Sequence, residues 1–211
     1  MTGVARHFSV KRVAVDPTRP DAAVLAEAVR VLGAGGVVAF PTETFYGLGA
    51  AALNRAAVRK VFALKGRPAS RPLLVLVDGV EMAERIADIP DRARPLIEQH
   101  WPGPLTLVFR ARSVVPDELT ADTGTIGVRW TPHPVAHGLV AALGMPVTAP
   151  SANRTDGPPP TSADDVVRDL GPALDLVLDG GATSGGLPST VLDVTVDPPR
   201  LVRAGAARLA P

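Results

Sequence analysis

The chain has no cysteine, which excludes thiol nucleophiles, cysteine zinc clusters and disulfide scaffolds. Aromatic residues make up only 4% of it, too few for a platform that stacks the bases of single-stranded nucleic acid. Charge of either sign is nearly cancelled. The 22 Lys and Arg stand against 21 Asp and Glu, a formal balance of +1, so a globally basic nucleic-acid coat is excluded too. No apolar run reaches the roughly 18 residues of a membrane span, and no membrane association is expected. The opening residues MTGVARHFSVKRV contain no apolar h-region, so the expectation is a cytoplasmic protein without a secretory signal. What is present is a hydrophobic fraction of 46% in 211 residues, enough for a sizeable core and incompatible with a disordered chain.

Apolar runs of strand type alternate with helical patterns. Asp21–Leu32, Arg55–Leu64, His137–Leu143 and Ala163–Leu170 carry apolar residues at helical spacing. Val37–Phe40, Leu73–Val77, Leu105–Phe109, Thr125–Trp130, Pro146–Ala149, Leu174–Leu178, Thr190–Val196 and Arg200–Arg203 read as strands. The alternation predicts an α/β fold, and the late strands without intervening helices predict a mixed sheet with flanking helices. No internal repeat or low-complexity linker divides the chain, so a single domain over residues 1–211 is expected.

Local charge is more telling than the total. Residues 44–77 contain no acid but carry Arg55, Arg59, Lys60, Lys65, Arg67 and Arg71. Such a stretch suits an anionic ligand, and equally a solvated helix face paired with acids elsewhere in the fold. Within it, Lys65-Gly66-Arg67-Pro68 closes a helix. Lys65 there complements the helix dipole, whereas Arg67 and Arg71 lie beyond the helix end in a proline-stiffened segment. Guanidinium forks held so suit phosphate or carboxylate oxygens.

Other motifs follow strand ends. PTETFYGLG, residues 41–49, places Thr42, Glu43, Thr44 and Tyr46 at the carboxyl end of a strand and reads as a turn opened by Gly47 and Gly49. WPGPLT, residues 101–106, is a rigid turn in which Trp101 packs. In TGTIGVR, strand alternation puts Thr125, Gly127 and Arg129 on one face; an arginine in an otherwise buried strand needs an anion, either a structural acid or a ligand. APSAN offers Ser151 and Asn153 two residues apart, as ligand contacts or as helix caps. Ser189 and Thr190 open a strand and Arg203 ends the next. His133 and His137 lack the acid of a HExxH pair, and no nucleophile elbow occurs.

In this order, PTETFYGLGA, KGRP, WPGPLT, GVRWTPHP, APSAN and PSTVLDV followed by LVRAG resemble the YrdC-like threonylcarbamoyl-AMP synthase family, from about Asp21 to Gly205. The resemblance is to the short, single-domain form. It implies a twisted α/β sheet around a positively charged concavity. It also implies synthesis of threonylcarbamoyl-AMP and pyrophosphate from L-threonine, bicarbonate or CO₂, and ATP, with Mg²⁺ arriving on the ATP. A threonylcarbamoyl-transferase complex would then modify tRNA. Carried over residue by residue, Lys65 and Arg67 are the catalytic pair. Lys65, Arg67, Arg71, Thr125, Ala149 through its main chain, Ser151, Asn153 and Arg203 would hold ATP, and Thr44, Arg129 and Ser189 would hold threonine. No metal ligand from the protein is expected. The sequence departs from the family at Leu76, where many relatives have histidine, and at Pro159, where some have serine. The alternatives from other classes are an RNA-binding module of the same fold and a carbamoyl-adenylate former of the hydrogenase-maturation type. Direct tRNA binding and oligomeric state are left open.

Overall fold

Asp21 begins the first helix because its carboxylate accepts the Ala23 amide at 2.6 Å, satisfying a donor that a helix start leaves free. In the computed structural model, which describes residues 10–209, the elements run β1 (Arg12–Ala14), α1 (Ala22–Gly33), β2 (Val38–Pro41), β3 (Tyr46–Gly49), α2 (Arg55–Lys65), β4 (Leu74–Val77), α3 (Val80–Ile86), β5 (Ala87–Asp88), α4 (Arg94–His100), β6 (Leu105–Ala111), α5 (Asp117–Thr120), β7 (Thr125–Trp130), α6 (Pro134–Leu143), β8 (Val147–Thr148), α7 (Ala163–Leu170), β9 (Leu176–Asp179), β10 (Thr190–Asp193) and β11 (Arg200–Arg203). The N-terminal reading on secretion lies outside the described residues.

The strands form two mixed sheets. One has the order β1-β9-β2-β3, the other β11-β10-β6-β7-β4-β8, with β5 added beside β6. Parallel pairs such as β4–β7 and β6–β10 alternate with antiparallel ones such as β2–β3 and β6–β7. The sheets meet where β3 runs past the β8 segment. Bridges Gly47–Ser151 and Ala51–Val147, with Leu48 N–H donating to Pro150 O at 2.8 Å, carry backbone bonding across the junction. The mixed α/β architecture is the one expected from the sequence.

In β6 and β7 the period of two is plain. Leu105, Leu107, Phe109, Ile126 and Val128 are buried in the core, each worth about 1.5–3 kcal/mol when fully covered. Their alternates Thr106, Val108, Thr125, Gly127 and Arg129 face a cavity.

Several expected boundaries shift for identifiable reasons. Gly47 and Gly49 do not form a turn. Thr42–Phe45 turns the chain, its bend closed by Thr42 Oγ1 donating to Phe45 O at 2.6 Å, and Tyr46–Gly49 returns as a strand against β2. The two glycines lie against the Phe40 ring, and a Cβ on Gly49 would come within 2.6 Å of it. The strand expected to reach Val196 ends at Asp193, whose carboxylate accepts Thr195 N–H and O–H at 2.9 and 2.6 Å. Helix α6 begins at Pro134 rather than His137, with proline at a first-turn position where its missing donor costs nothing. Three short helices, α3, α4 and α5, and the small strands β1 and β5 were not expected.

Candidate active site

A cavity of about 920 Å³ lies on the open face of the larger sheet. Its floor comes from strand alternation and register. Leu74 and Leu76 of β4 stand beside Gly127 and Arg129 of β7, and Val108 of β6 lies opposite Gly127. Its walls are the Thr42–Phe45 turn, the segment from Arg67 to Leu73, the residues after β8, Ser189 just before β10 and Arg203 at the end of β11. Among the described residues four arginines line it, Arg67, Arg71, Arg129 and Arg203, and no carboxylate does.

Nine of the eleven residues expected at the site line this one cavity: Thr44, Arg67, Arg71, Thr125, Arg129, Ala149, Ser151, Ser189 and Arg203. Lys65 and Asn153 are not on its lining. Lys65 ends α2, where Gly66 caps the helix at φ 57°, and is only 3% exposed. Its ammonium donates to Ser151 O at 2.5 Å and Asn153 O at 2.6 Å, and its own carbonyl accepts Thr155 N–H at 2.8 Å. Burial pushes the ammonium down from 10.5 to about 8, with nearby Arg67 adding to the effect. Asn153 donates through Nδ2 to Arg154 O at 2.8 Å and Gly157 O at 2.7 Å. Lys65 and Asn153 therefore shape the loop that presents Ser151. Neither Ser151 nor Asn153 caps a helix; Ser162 caps α7.

Arg67 is held by its own loop, Nε to Arg71 O at 2.9 Å and Nη2 to Pro72 O at 2.8 Å. Burial first, then the Arg71 charge, lowers its pKa. Arg71 makes an exposed pair with Asp156 at 3.1 Å, of a kind worth about 0–1 kcal/mol. The Ala149 amide is taken by Leu74 O at 3.1 Å, so that main-chain donor is already in use. The other cations of the acid-free stretch follow the plainer reading. Arg55 and Arg59 pair with Glu118 at 2.6 and 2.8 Å, and Lys60 donates to Gly35 O at 2.6 Å.

At the other end, Arg129 is 6% exposed. Its Nε donates to Gly103 O in the WPGP turn at 3.1 Å, and its Nη2 forms an ion pair with Glu43. The two readings of this arginine thus coincide: it has a structural acid and it also lines the cavity. Burial, with Arg203 nearby, pushes it down to about 10. Ser189 Oγ lies 2.9 Å from Thr106 Oγ1, and Arg203 Nη2 donates to Ser189 O and Oγ at 2.8 and 3.1 Å. Trp101 packs as expected, edge-on to Phe109, with Nε1 donating to Leu105 O at 2.7 Å.

Thr106 and Leu74 belong to this arrangement without having been expected there, although alternation within their strands could have placed them with the neighbours of Arg129, whereas Glu43 and Gly127 were singled out in the sequence without being given a ligand. Both departures from the family pattern, Leu76 and Pro159, also line the cavity. Among the described residues no group of three or more His, Asp or Glu could hold a metal ion, and no helix is long and apolar enough to cross a membrane.

Comparison with known proteins agrees with the motifs. The chain is 45% identical over 176 residues to the threonylcarbamoyl-AMP synthase of Pyrococcus abyssi, covering 83% of this chain and 52% of the relative, so it spans about half that protein's length. It is 36% identical to the threonylcarbamoyl-AMP synthase of Nitrosococcus oceani, covering 79% of this chain and 90% of the relative. The crystal structure of P. abyssi Sua5 complexed with L-threonine superposes with a TM-score of 0.89 at 42% identity, over 92% of this chain and 57% of that one. The Sua5/YciO/YrdC family model, described as telomere recombination, matches residues 30–205, and the chain belongs to that family.

Proposed function

We propose that this chain is an L-threonylcarbamoyladenylate synthase, acting as one YrdC-like domain over residues 1–211 with its core at about 21–205, in the cytoplasm. The observation that carries the reading is the single cavity that gathers Arg67, Arg71, Ser151, Thr44, Arg129 and Ser189 from separate segments. Arg67, Arg71 and Arg203 would neutralise the phosphates of ATP. Ser151 and Thr125 would hold the nucleotide, with Lys65 and Asn153 shaping the loop from behind. Thr44, Arg129 and Ser189 form the end for threonine.

In the reaction, the threonine amine bonds to CO₂ derived from bicarbonate and loses a proton, giving a carbamate. A carbamate oxygen then bonds to the α-phosphorus of ATP, and the bond to the pyrophosphate oxygen breaks. This chemistry asks the protein for orientation and charge neutralisation and needs no protein nucleophile. A cysteine-free site with four arginines is suited to it. The lining offers no carboxylate among the described residues, so the residues present do not suit an Mg²⁺ site of their own; the ion belongs to the ATP substrate.

The product passes to a threonylcarbamoyl-transferase complex acting on tRNA. An RNA-binding module without activity fits less well, because the floor of Leu74, Leu76 and Val108 is aliphatic and the lining carries two aromatics, Phe45 and Tyr46, few for a platform that stacks successive bases. The test is incubation with ATP, L-threonine and labelled bicarbonate. Threonine-dependent pyrophosphate release is expected; release that ignores threonine, or none, would overturn the reading.

A further inference from the structure

The segments carrying the three residues assigned to the amino acid meet at one residue outside the cavity lining, Glu43, through its side chain and its backbone. Glu43 sits in the Thr42–Phe45 turn, next to Thr44. Its carboxylate pairs with Arg129 and accepts the Thr131 O–H at 2.8 Å. Its backbone carbonyl accepts Ser184 O–H at 2.6 Å, and Thr44 O accepts Gly185 N–H at 2.8 Å. Ser184 and Gly185 lie in the loop that leads into Ser189. The Glu43 side chain therefore ties the turn carrying Thr44 to the end of the strand carrying Arg129, and the backbone of the same turn holds the loop before Ser189.

The chemistry of the pair adds a second consequence. Two of the three guanidinium nitrogens of Arg129 already meet protein acceptors, Gly103 O and Glu43, leaving Nη1 without one among the described residues. The Glu43 charge offsets that of Arg129, whose guanidinium has little solvent to screen it, while the Glu43 side chain itself is 24% exposed. With Arg129 offset by Glu43, Arg203, bonded to Ser189, is the cation that remains at this end to meet the single carboxylate of an α-amino acid with an uncharged side chain. A second carboxylate on the ligand would be repelled by Glu43.

We propose that Glu43 is a positioning and specificity-determining residue: it holds Arg129 and the Thr44 turn in place, and its charge restricts this end to zwitterionic amino acids, excluding dicarboxylic ones. The proposal rests on the synthase reading, in which this end of the cavity takes threonine.

The experiment is calorimetric titration of the full chain and of Glu43→Gln with L-threonine, L-aspartate and a non-hydrolysable ATP analogue, with melting temperature measured on each. Loss of one charge-assisted contact should weaken threonine binding about tenfold or more, with the ATP analogue within about twofold. The affinity for aspartate relative to threonine should rise about tenfold, a change that lost stability alone would not produce. Thr131→Val removes one bond to Glu43 and keeps the charge. It should weaken threonine binding more mildly without moving the aspartate ratio, and it carries the test if Glu43→Gln does not fold, since unaltered threonine binding would then overturn the positioning role. A lower melting temperature in Glu43→Gln with threonine binding and the aspartate ratio unmoved would overturn the proposal as a whole. Absence of threonine binding in the unaltered chain would instead overturn the synthase reading beneath it.

Discussion

One ammonium, that of Lys65, holds the two carbonyls on either side of Ala152, from a position almost without solvent. This sets stability and binding against each other in pH. The folded-state pKa, about 8, lies below the ordinary 10.5, so between these values the folded chain holds fewer protons than the unfolded one. The contribution of this group to stability therefore rises with pH across that window, relieving a burial cost that is complete below it. The charge-assisted bonds to Ser151 O and Asn153 O weaken over the same window. Nucleotide affinity is expected to fall as pH passes upward through about 8, and Lys65→Met should remove both dependences. Titration with ATP and denaturant unfolding, each on both sides of that value, check it; an affinity indifferent to pH in the unaltered chain counts against the role. Arg67 lives on the same scale. Arg67→Ala should reduce pyrophosphate formation about ten- to a hundredfold, the worth of one hydrogen bond to a charged group, in a protein that still melts cooperatively. The residue types of both were legible in an acid-free, proline-stiffened stretch. The direction of Lys65 was not, because its acceptors lie 86 and 88 residues away.

Among the elements, strand alternation conveyed most. It placed Thr125, Gly127 and Arg129 on one face, and the register of β4 beside β7 turned that face into a floor. Short helices were illegible for a physical reason: α3 and α4 have seven residues each and α5 four, about two turns or fewer, too little for an apolar period to show. The hairpin of β2 and β3 misled because glycine has two uses, and only the structure tells them apart. At Gly49 the use is space. A Cβ would meet the Phe40 ring at 2.6 Å and Val147 at 2.9 Å, across the junction of the two sheets. Gly49→Ala is expected to lower unfolding free energy by about 1–3 kcal/mol, the usual cost of overpacking a core. Chemical denaturation measures it. A variant as stable as the parent would mean that the hairpin shifts freely and that the sheet junction is softer than its packing implies.

For the molecule as a whole, the division of charge along the chain does not survive folding. Residues 1–110 carry 15 cations and 10 acids, and residues 111–211 carry 7 and 11. Yet the cavity takes Arg67 and Arg71 from the first part and Arg129 and Arg203 from the second. Its lining spans Thr42 to Arg203, so any ligand bound there must tie remote segments together and favour the folded state over the unfolded one. A ligand at a hundred times its dissociation constant stabilises by about 2.7 kcal/mol. At about 2–4 °C per kcal/mol for a chain of this size, the melting temperature should rise by about 5–11 °C. ATP and threonine together are expected to raise it further than either alone, since their ends of the cavity share one floor. Ser151→Ala should lose most of the rise caused by ATP while keeping that caused by threonine. An RNA-binding surface predicts another pattern, stabilisation by an RNA oligonucleotide that disappears as salt is raised, because displaced counterions drive such binding. Melting curves with each ligand, at low and high salt, separate the two. A chain stabilised by RNA alone, and indifferent to ATP with threonine, would place its ligand on the outer surface and leave the cavity without a substrate.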